Sequence, residues 1–359
     1  MQKDRAGGAV PRGPEKRARS MKIFRGTTPA WALLVVSAIT TLALLAAAYE
    51  IVSSLRYDRW KRGFDVIGWL TVPSPNSVLM WEYRPYGHWR EFAFNRYGFR
   101  DRDYESTEKA SNTHRVAFIG DSVTLGLFTP IEDTFVTRFE TAANQLGLGH
   151  AVQALNFSVD GYNAPQIYEM LRTKTLEFHP DKVVYMLCLN DFDFEDSSGY
   201  KIQYFRKPTS FLLRDLERVY RNRVYMRLGG GDFHGYYFRK NRKRAFEAIL
   251  DMNTVLTQKG VRFVVAVLPV FPDAAPDFTD YPVRDMHREI AAFLNEHRIH
   301  HVDLLDAFAQ QQRPPKSFAH DIWHPNAEGH LLIARHLLQP ILGPTGDHAV
   351  APLDHESRQ

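Results

Sequence analysis

The sequence predicts an α/β protein: a three-layer domain built on a parallel sheet and preceded by one transmembrane helix. From residue 115 onward, short runs of β-forming residues alternate with segments of helical periodicity, which is the pattern of β–α units. Four of the five runs are almost continuously apolar, as expected of strands that are buried on both faces of a parallel sheet. The uncharged stretch from Ala30 to Tyr49 predicts the transmembrane helix.

The elements are expected to follow one another in a regular order. Strands are predicted at 115–119, 151–156, 182–189, 261–268 and 300–305, and helices at 133–146, 165–177, 241–258, 283–297 and 326–339. The first helix places Phe135, Phe139, Ala142 and Leu146 on one face, and Gly147 follows as a stop signal. Residues 192–240 break the order, and their aromatic and basic composition is interpreted as an insertion over the site.

Composition divides the chain into successive segments. They are a basic, disordered cytoplasmic tail over 1–29, a transmembrane signal anchor over 30–52, a lead-in over 53–112, the α/β domain with its insertion over 113–342, and a flexible tail over 343–359. The first segment is rich in Gly, Pro and basic residues, a composition that buries too little apolar surface to fold.

The apolar stretch near the N-terminus is long enough to cross a bilayer. At 1.5 Å per residue, about 20 residues span roughly 30 Å of hydrocarbon, and Trp31 and Tyr49 lie at its two ends, where aromatic rings prefer the interface. Basic residues are in excess before the stretch, which favours a cytoplasmic N-terminus and a periplasmic or extracellular domain. A cleaved signal peptide, with Ala46, Ala47 and Ala48 before the cleavage site, and a buried core helix are the alternatives.

Charge and cysteine content exclude several classes of protein. The formal net charge of 359 residues is only +4, and neither an arginine-rich recognition helix nor paired zinc cysteines are found, so no nucleic-acid partner is expected. The single cysteine, Cys188, excludes an intrachain disulfide and a multi-cysteine metal site. The acidic stretch at 190–196 lacks the spacing of a calcium-binding loop. These patterns therefore predict neither a multi-cysteine metal site nor a calcium-binding loop.

The first, second, third and fifth predicted strands are each followed by residues that can take part in catalysis. The residues are Gly120, Asp121 and Ser122, then Gly161, then Asn190 and Asp191, and finally Asp321 and His324. Because ligands bind at the carboxyl ends of strands in open parallel sheets, these segments are expected to converge on one rim. Each motif alone is also common in turns and helix caps, so the prediction depends on their order and placement.

The converging residues supply what acyl transfer requires. Ser122 is the candidate nucleophile, and a serine hydroxyl needs a neighbouring base to remove its proton. His324 is the candidate base, and Asp321, three residues earlier, is placed to hold the imidazole in one tautomer. The backbone N–H groups of Ser122 and Gly161 and the side-chain amide of Asn190 are candidate donors to the oxyanion.

The chain resembles the SGNH (GDSL-type) hydrolase superfamily in these blocks, and its segment 92–105 resembles the lead-in of membrane-anchored bacterial members. The resemblance implies a flavodoxin-like α/β/α fold with a five-stranded parallel sheet. It implies ester hydrolysis or acyl transfer without a metal or an organic cofactor, with Ser122, Asp321 and His324 as catalytic residues. Two departures stand out: Cys188 precedes Leu189-Asn190-Asp191 where the superfamily usually has glycine, and Val123 replaces a leucine.

The resemblance further assigns Ser122, Gly161 and Asn190 to the oxyanion hole, and Asp121 and Asp191 are interpreted as supporting residues. The first functional hypothesis is a serine esterase that removes an acyl group, such as O-acetyl, from an ester outside the cytoplasm; an acylated glycan is one candidate substrate. The second is an O-acyltransferase that modifies a cell-surface polysaccharide with the same residues. The third is a non-catalytic envelope protein that binds a partner.

Overall fold

A computed structural model of the protein describes residues 29–63, 70–89, 92–194, 204–225, 227 and 233–343. The predicted N-terminal tail up to residue 28, the C-terminal tail from 344 onward and parts of the predicted insertion lie outside these residues. The chain forms two compact units, Met1–Ile51 and Val52–Gln359.

The first helix, α1, runs over Ala30–Gly63. Its stretch Ala30–Arg62 is long and apolar enough to cross a membrane, with a mean hydropathy of 2.2 in its most apolar window. None of that window is buried, which is unlike the core helix of a soluble domain. A membrane anchor and a signal sequence both fit this finding.

Two short hairpins lie in the lead-in segment. Strand β1 (Thr71–Pro73) pairs antiparallel with β2 (Trp81–Tyr83), and β3 (His88–Trp89) pairs antiparallel with β4 (Phe92–Ala93). The lead-in is part of the hydrophobic core of its unit, because the side chains of Trp81, Tyr83 and Phe92 are buried in the main hydrophobic cluster.

The central sheet has five parallel strands, as the sequence predicts. They are β5 (Thr113–Gly120), β6 (Ala151–Ser158), β7 (Lys182–Leu187), β8 (Arg262–Val267) and β9 (His300–Asp303), in the spatial order β6-β5-β7-β8-β9. Every residue of β7 is buried, which explains its continuous apolar run. The strand order reverses between β5 and β7, and this is the position at which open parallel sheets bind their ligands.

Helices cover both faces of the sheet. They are α2 (Ser122–Leu125), α3 (Phe135–Gln145), α4 (Ala164–Thr173), α5 (Phe211–Val219), α6 (Phe233–Gln258), α7 (Arg284–Glu296), α8 (Leu305–Ala309) and α9 (Ala327–Leu342). Short 3₁₀ turns occupy Ile131–Asp133, Thr175–Phe178, Leu189–Phe192 and Pro315–Phe318, and a π-helical turn follows α5 at Tyr220–Tyr225. Helices α3 and α9 pack together, as do α4 and α6, which completes the three layers.

The five predicted helices are present with bounds shifted by up to eight residues, and two of them differ in ways that need explanation. The helix expected over 241–258 begins at Phe233, so the last residues of the predicted insertion belong to α6. Tyr237 and Phe238 are buried there, and this packing outweighs the destabilising effect of Gly235 near the start of the helix. The helix expected over 165–177 is interrupted at Lys174, after which the chain forms a 3₁₀ turn.

Candidate active site

Ser122 lies at the first position of α2, directly after strand β5, which pairs with β6 on one side and β7 on the other. The carboxylate of Asp121 caps this short helix, since its Oδ1 accepts a hydrogen bond of 2.9 Å from the backbone N–H of Val123. Gly120 permits the tight turn, because a Cβ atom there would overlap the side chain of Thr124. The turn holds the hydroxyl of Ser122 at the carboxyl end of the sheet.

His324 reaches Ser122 from a loop about 200 residues away in the sequence, before α9. Its Nε2 lies 2.9 Å from Ser122 Oγ, and its Nδ1 lies 2.7 Å from Oδ2 of Asp321. Asp321 also shapes the loop, because its Oδ1 accepts hydrogen bonds of 2.8 Å from the backbone N–H groups of Trp323 and His324. The structure thus brings three of the predicted residues into one hydrogen-bonded chain.

The ionisation of Asp321 determines which group donates each hydrogen bond between Asp321, His324 and Ser122. Partial burial opposes its ionisation, but the hydrogen bonds from the His324 ring and from two backbone N–H groups outweigh burial and lower the pKa of Asp321 to about 2. An ionised Asp321 can only accept a hydrogen bond, so the proton of the neutral His324 ring lies on Nδ1 and Nε2 is free to accept a hydrogen bond from the Ser122 hydroxyl. This is the tautomer that general-base removal of the Ser122 proton requires.

Gly161 and Asn190 lie in the loops after the two strands that flank β5. Gly161 is buried and has a φ of +76°, a left-handed conformation that glycine adopts without strain. The side-chain amide of Asn190 donates a hydrogen bond of 2.8 Å to Oδ2 of Asp121. Because Nδ2 carries two hydrogens, the second remains for another acceptor.

The lead-in segment supports the loop that contains Gly161. The hydroxyl of Tyr83 donates to the carboxylate of Asp160, and the hydroxyl of Tyr162 donates to the backbone carbonyl of Trp81. These contacts hold the residues on both sides of Gly161 against the β1–β2 hairpin. The predicted lead-in therefore fixes one wall of the site.

Asp121 and Asp191 are both fully buried behind the rim. Burial raises the pKa of Asp121, although the hydrogen bond from Asn190 opposes the shift. Burial and the nearby Asp121 raise the pKa of Asp191 well above its ordinary value. Oδ2 of Asp191 accepts hydrogen bonds from the Tyr185 hydroxyl at 2.7 Å and the Cys188 N–H at 3.0 Å. Asp191 thus braces the turn on which Asn190 lies.

Cys188, which departs from the glycine of the resembling superfamily, is packed in the core. Its side chain is buried, and burial raises the pKa of the thiol well above its ordinary value. A protonated, inaccessible thiol is a poor nucleophile. Asn190 keeps its hydrogen bond to Asp121 beside this residue, so the cysteine has not displaced the amide.

Arg100 is a structural support of the site that the sequence analysis missed. Its buried guanidinium donates hydrogen bonds to the carbonyl oxygens of Leu125 at 2.9 Å, Gly126 at 2.6 Å and Thr129 at 2.7 Å. The guanidinium also lies 4.3 Å from the ring centre of Phe92. One charged group therefore holds the loop that follows Ser122, and nothing in the polar lead-in sequence distinguishes this arginine from its exposed neighbours.

Phe128 is the second residue that the sequence analysis missed. Its ring is 52% exposed, and its centre lies 5.3 Å from that of the His324 ring, at an interplanar angle of 88°. Its φ of +69° is rare for a bulky residue and costs backbone energy. Thr129 holds the loop in place, because its Oγ1 donates to the carbonyl of Pro325 at 3.2 Å. An exposed aromatic ring is thereby kept beside His324.

Comparison with known families identifies this chain as an enzyme of the ester-hydrolase class. The model of the GDSL-like lipase/acylhydrolase family matches residues 118–332. This range covers more than half of the chain and contains Ser122, Asn190 and His324. The chain belongs to the GDSL-like lipase/acylhydrolase family and is an acylhydrolase of that type.

The solved structures to which the chain is similar include two acetylxylan esterases. The enzyme from Geobacillus stearothermophilus is 18% identical over 64% of this chain and 95% of its own, with a TM-score of 0.44. The acetyl xylan esterase AlAXEase is 13% identical over 64% of this chain and 100% of its own, with a TM-score of 0.43. A comparison with curated proteins finds no match.

Proposed function

We propose that the protein is a serine esterase that works through an acyl-Ser122 intermediate. The observation that carries the proposal is the continuous hydrogen-bonded chain from Asp321 through His324 to Ser122, with distances of 2.7 Å and 2.9 Å. Three residue types with complementary roles meet there from two distant loops, and a merely structural loop contact has no need of that combination.

The reaction proceeds in two balanced halves. Nε2 of His324 takes the proton of Ser122 Oγ while Oγ forms a bond to the ester carbonyl carbon. The tetrahedral intermediate collapses, the bond to the alcohol oxygen breaks, and His324 returns the proton to that oxygen. His324 then takes a proton from a water molecule, and the water oxygen forms a bond to the carbonyl carbon of acyl-Ser122. The carboxylic acid leaves, and Ser122 regains its proton from His324.

The negative charge on the carbonyl oxygen is stabilised by three donors. We assign this role to the backbone N–H groups of Ser122 and Gly161 and to the second amide hydrogen of Asn190. Asp121 orients the amide of Asn190 through its 2.8 Å hydrogen bond, so it acts as a positioning residue. Donors held in place before the reaction cost no reorganisation when the oxyanion forms.

The acyl group is proposed to be short, with O-acetyl as the first candidate. Ser122 is 7% exposed, Asn190 8% and His324 9%, so these side chains present little open surface to a long acyl chain. Phe128 adds an exposed apolar surface beside His324. Aromatic rings often pack against the apolar faces of ligands such as sugars, which supports an acylated glycan as the bearer of the ester.

The proposed location is the cell membrane, with a cytoplasmic N-terminus and the esterase domain on the periplasmic or extracellular side. Helix α1 is long and apolar enough to span a bilayer, and the basic residues that precede it favour this orientation. A membrane-impermeant thiol reagent tests the topology on intact cells, because the native Cys188 is buried. Labelling of a Leu148→Cys protein in intact cells is expected, and labelling only after lysis contradicts the orientation.

Hydrolysis is tested with the full chain in detergent on acetyl and longer aryl esters and on acetylated oligosaccharides. We expect Ser122→Ala to abolish release of acid, while Ser106→Ala, at an exposed position, keeps it. Hydrolysis at the wild-type rate by Ser122→Ala contradicts the proposal. Free acid as the main product in the presence of an unacylated oligosaccharide supports an esterase, whereas a new ester on that oligosaccharide identifies an acyltransferase.

A further inference from the structure

The described part of the insertion presents an exposed apolar face. We call residues 211–225 the amphipathic segment; it comprises α5 and the π-helical turn after it. Five large apolar side chains of this segment are between 39% and 68% exposed: Leu213, Leu216, Val219, Tyr220 and Val224. Their spacing of three and four residues puts them on one side of the helix. A cluster of this kind on a water-soluble surface indicates an interaction site.

The opposite face of the amphipathic segment is fixed to its own domain. Phe211 is buried, and its ring centre lies 5.9 Å from that of Tyr57. The hydroxyl of Tyr236 in α6 donates to Glu217 at 2.8 Å. The segment is therefore held as a defined helix, and its apolar side faces outward.

The chain around this face is strongly basic. Residues 204–227 contain seven Lys or Arg residues and two acidic residues, a net charge of +5. Both acids are engaged, since Asp215 lies 2.8 Å from Arg214 and Glu217 lies 2.5 Å from Lys240. A cavity of about 330 Å³ opens beside Leu213, and its basic lining residues are Arg206, Lys207, Arg214, Arg218 and Arg221. The apolar face therefore borders a site suited to anionic groups.

The residues that precede the amphipathic segment are fastened to the end of α1. The Tyr57 hydroxyl donates to the carbonyl of Tyr204 at 3.1 Å, and Lys207 pairs with Asp58 at 3.0 Å. The Trp60 ring lies 6.1 Å from that of Tyr204. Tyr57 follows the predicted membrane span, 30–52, by only five residues. The chain that leaves the predicted span is thus bound to the same element that displays the apolar face.

We propose that the amphipathic segment lies in the headgroup region of the bilayer that α1 spans, with its apolar face in the lipid and its cations on anionic phospholipids. The proposal rests on the proposed membrane anchor. An exposed apolar helix face bordered by basic residues is typical of segments that lie in the interface, and clustered basic residues near a membrane span bind anionic headgroups. A bilayer is favoured over a protein partner because the segment and the residues before it contact Tyr57 and Asp58, which follow the predicted span by only five and six residues.

Fluorescence quenching in nanodiscs tests the proposal with the full chain. Cys188 is buried, so an environment-sensitive thiol dye reports on single introduced cysteines, and the unsubstituted chain gives the background. The three sites are Leu216→Cys on the apolar face, Leu148→Cys at another exposed leucine, and Leu42→Cys within the predicted span. Nanodiscs contain phosphatidylcholine alone or with phosphatidylglycerol, plus lipids whose nitroxide lies near the headgroup or in the acyl chain.

The expected result is a blue shift and quenching by headgroup nitroxides at position 216 in discs that contain phosphatidylglycerol, without either effect at 148. Replacing Arg206 and Arg223 by Gln is expected to reduce the quenching, and added salt should do the same. Quenching at 42 but not at 216 overturns the proposal and leaves the anchor intact. No quenching at 42 overturns the anchor and the proposal together. Equal quenching at positions 216 and 148 also contradicts the proposal. So does quenching at position 216 that is the same with and without phosphatidylglycerol.

Discussion

The buried guanidinium of Arg100 offers a sharp test of how the site is held. Its three hydrogen bonds to the carbonyl oxygens of Leu125, Gly126 and Thr129 fix the loop between Ser122 and Phe128. In Arg100→Met the side chain keeps a similar length and its packing on Phe92, but all three bonds are lost. We expect a less stable domain and a slower reaction of Ser122.

The expected change in the free energy of unfolding of Arg100→Met is the difference between two opposing contributions. Hydrogen bonds that involve a charged group contribute about 1.5–3 kcal/mol each, whereas an uncharged replacement avoids a desolvation penalty of several kcal/mol. Gly126 also keeps one partner, because its carbonyl accepts the N–H of Thr129 at 3.1 Å. We therefore expect a net loss of about 3 kcal/mol in the free energy of unfolding, which corresponds to a Tm lower by roughly 6–12 °C in a domain of this size.

The matched control is Arg102→Met, two residues further along the same segment. Arg102 pairs with Glu140 at 2.9 Å on the surface, with 44% of its side chain exposed, and such pairs contribute about 1 kcal/mol or less. Thermal unfolding in detergent and the rate of acylation of Ser122 are measured for both variants. Equal Tm values and equal rates for the two variants would refute the reasoning.

Three further predictions concern single residues. Asp321→Asn should lower kcat by about 10⁴, because the amide no longer holds the reactive tautomer of the imidazole; a loss of less than tenfold in steady-state kinetics contradicts this. Asn190→Ala should lower kcat by about 10²–10³ with little change in KM, and a change confined to KM would argue against an oxyanion donor. Burial and nearby cations lower the pKa of His330 to about 3. The folded state therefore keeps His330 neutral, whereas the unfolded state binds a proton below its pKa near 6.5. The contribution of His330 to the free energy of unfolding is therefore largest above pH 6.5 and should fall on acidification by up to about 1.4 kcal/mol per pH unit. Equilibrium unfolding of His330→Asn between pH 6.5 and 4 should show a flatter dependence than His300→Asn; parallel curves contradict it.

Most of the parallel sheet could be predicted because four of the five expected strands are almost continuously apolar. The expected strand 182–189 corresponds to β7 (Lys182–Leu187), in which every residue is buried, and such a strand leaves a continuous signal in the sequence. The expected strand 300–305 corresponds to β9 (His300–Asp303), which has no buried residue and gives a weaker signal. The spatial order of the five strands leaves no such local signal, and it entered the prediction only through the family resemblance.

The meeting of Ser122, Asp321 and His324 could be expected because their strands and loops end on one edge of the sheet. Parallel strands align their carboxyl ends, so residues 202 positions apart were brought within one hydrogen bond. Their catalytic roles remain predictions, as do those of Gly161 and Asn190.

Arg100 and Phe128 could not be identified from sequence for a physical reason. A buried arginine has the same local sequence context as an exposed one, and burial here depends on carbonyl groups more than 20 residues away. The left-handed backbone of Phe128 contradicts the preference of an aromatic residue. Only the tertiary contacts of the loop, through Arg100 and Thr129, hold that conformation.

The most direct test of the central claim is reaction of the full chain with a fluorophosphonate, followed by mass spectrometry of the modified peptide. A nucleophile activated by His324 should be labelled at Ser122, and His324→Ala should lose the label while His320→Ala keeps it. A folded protein that is not labelled at Ser122, or one in which His324→Ala reacts as fast as the unsubstituted chain, would contradict the account.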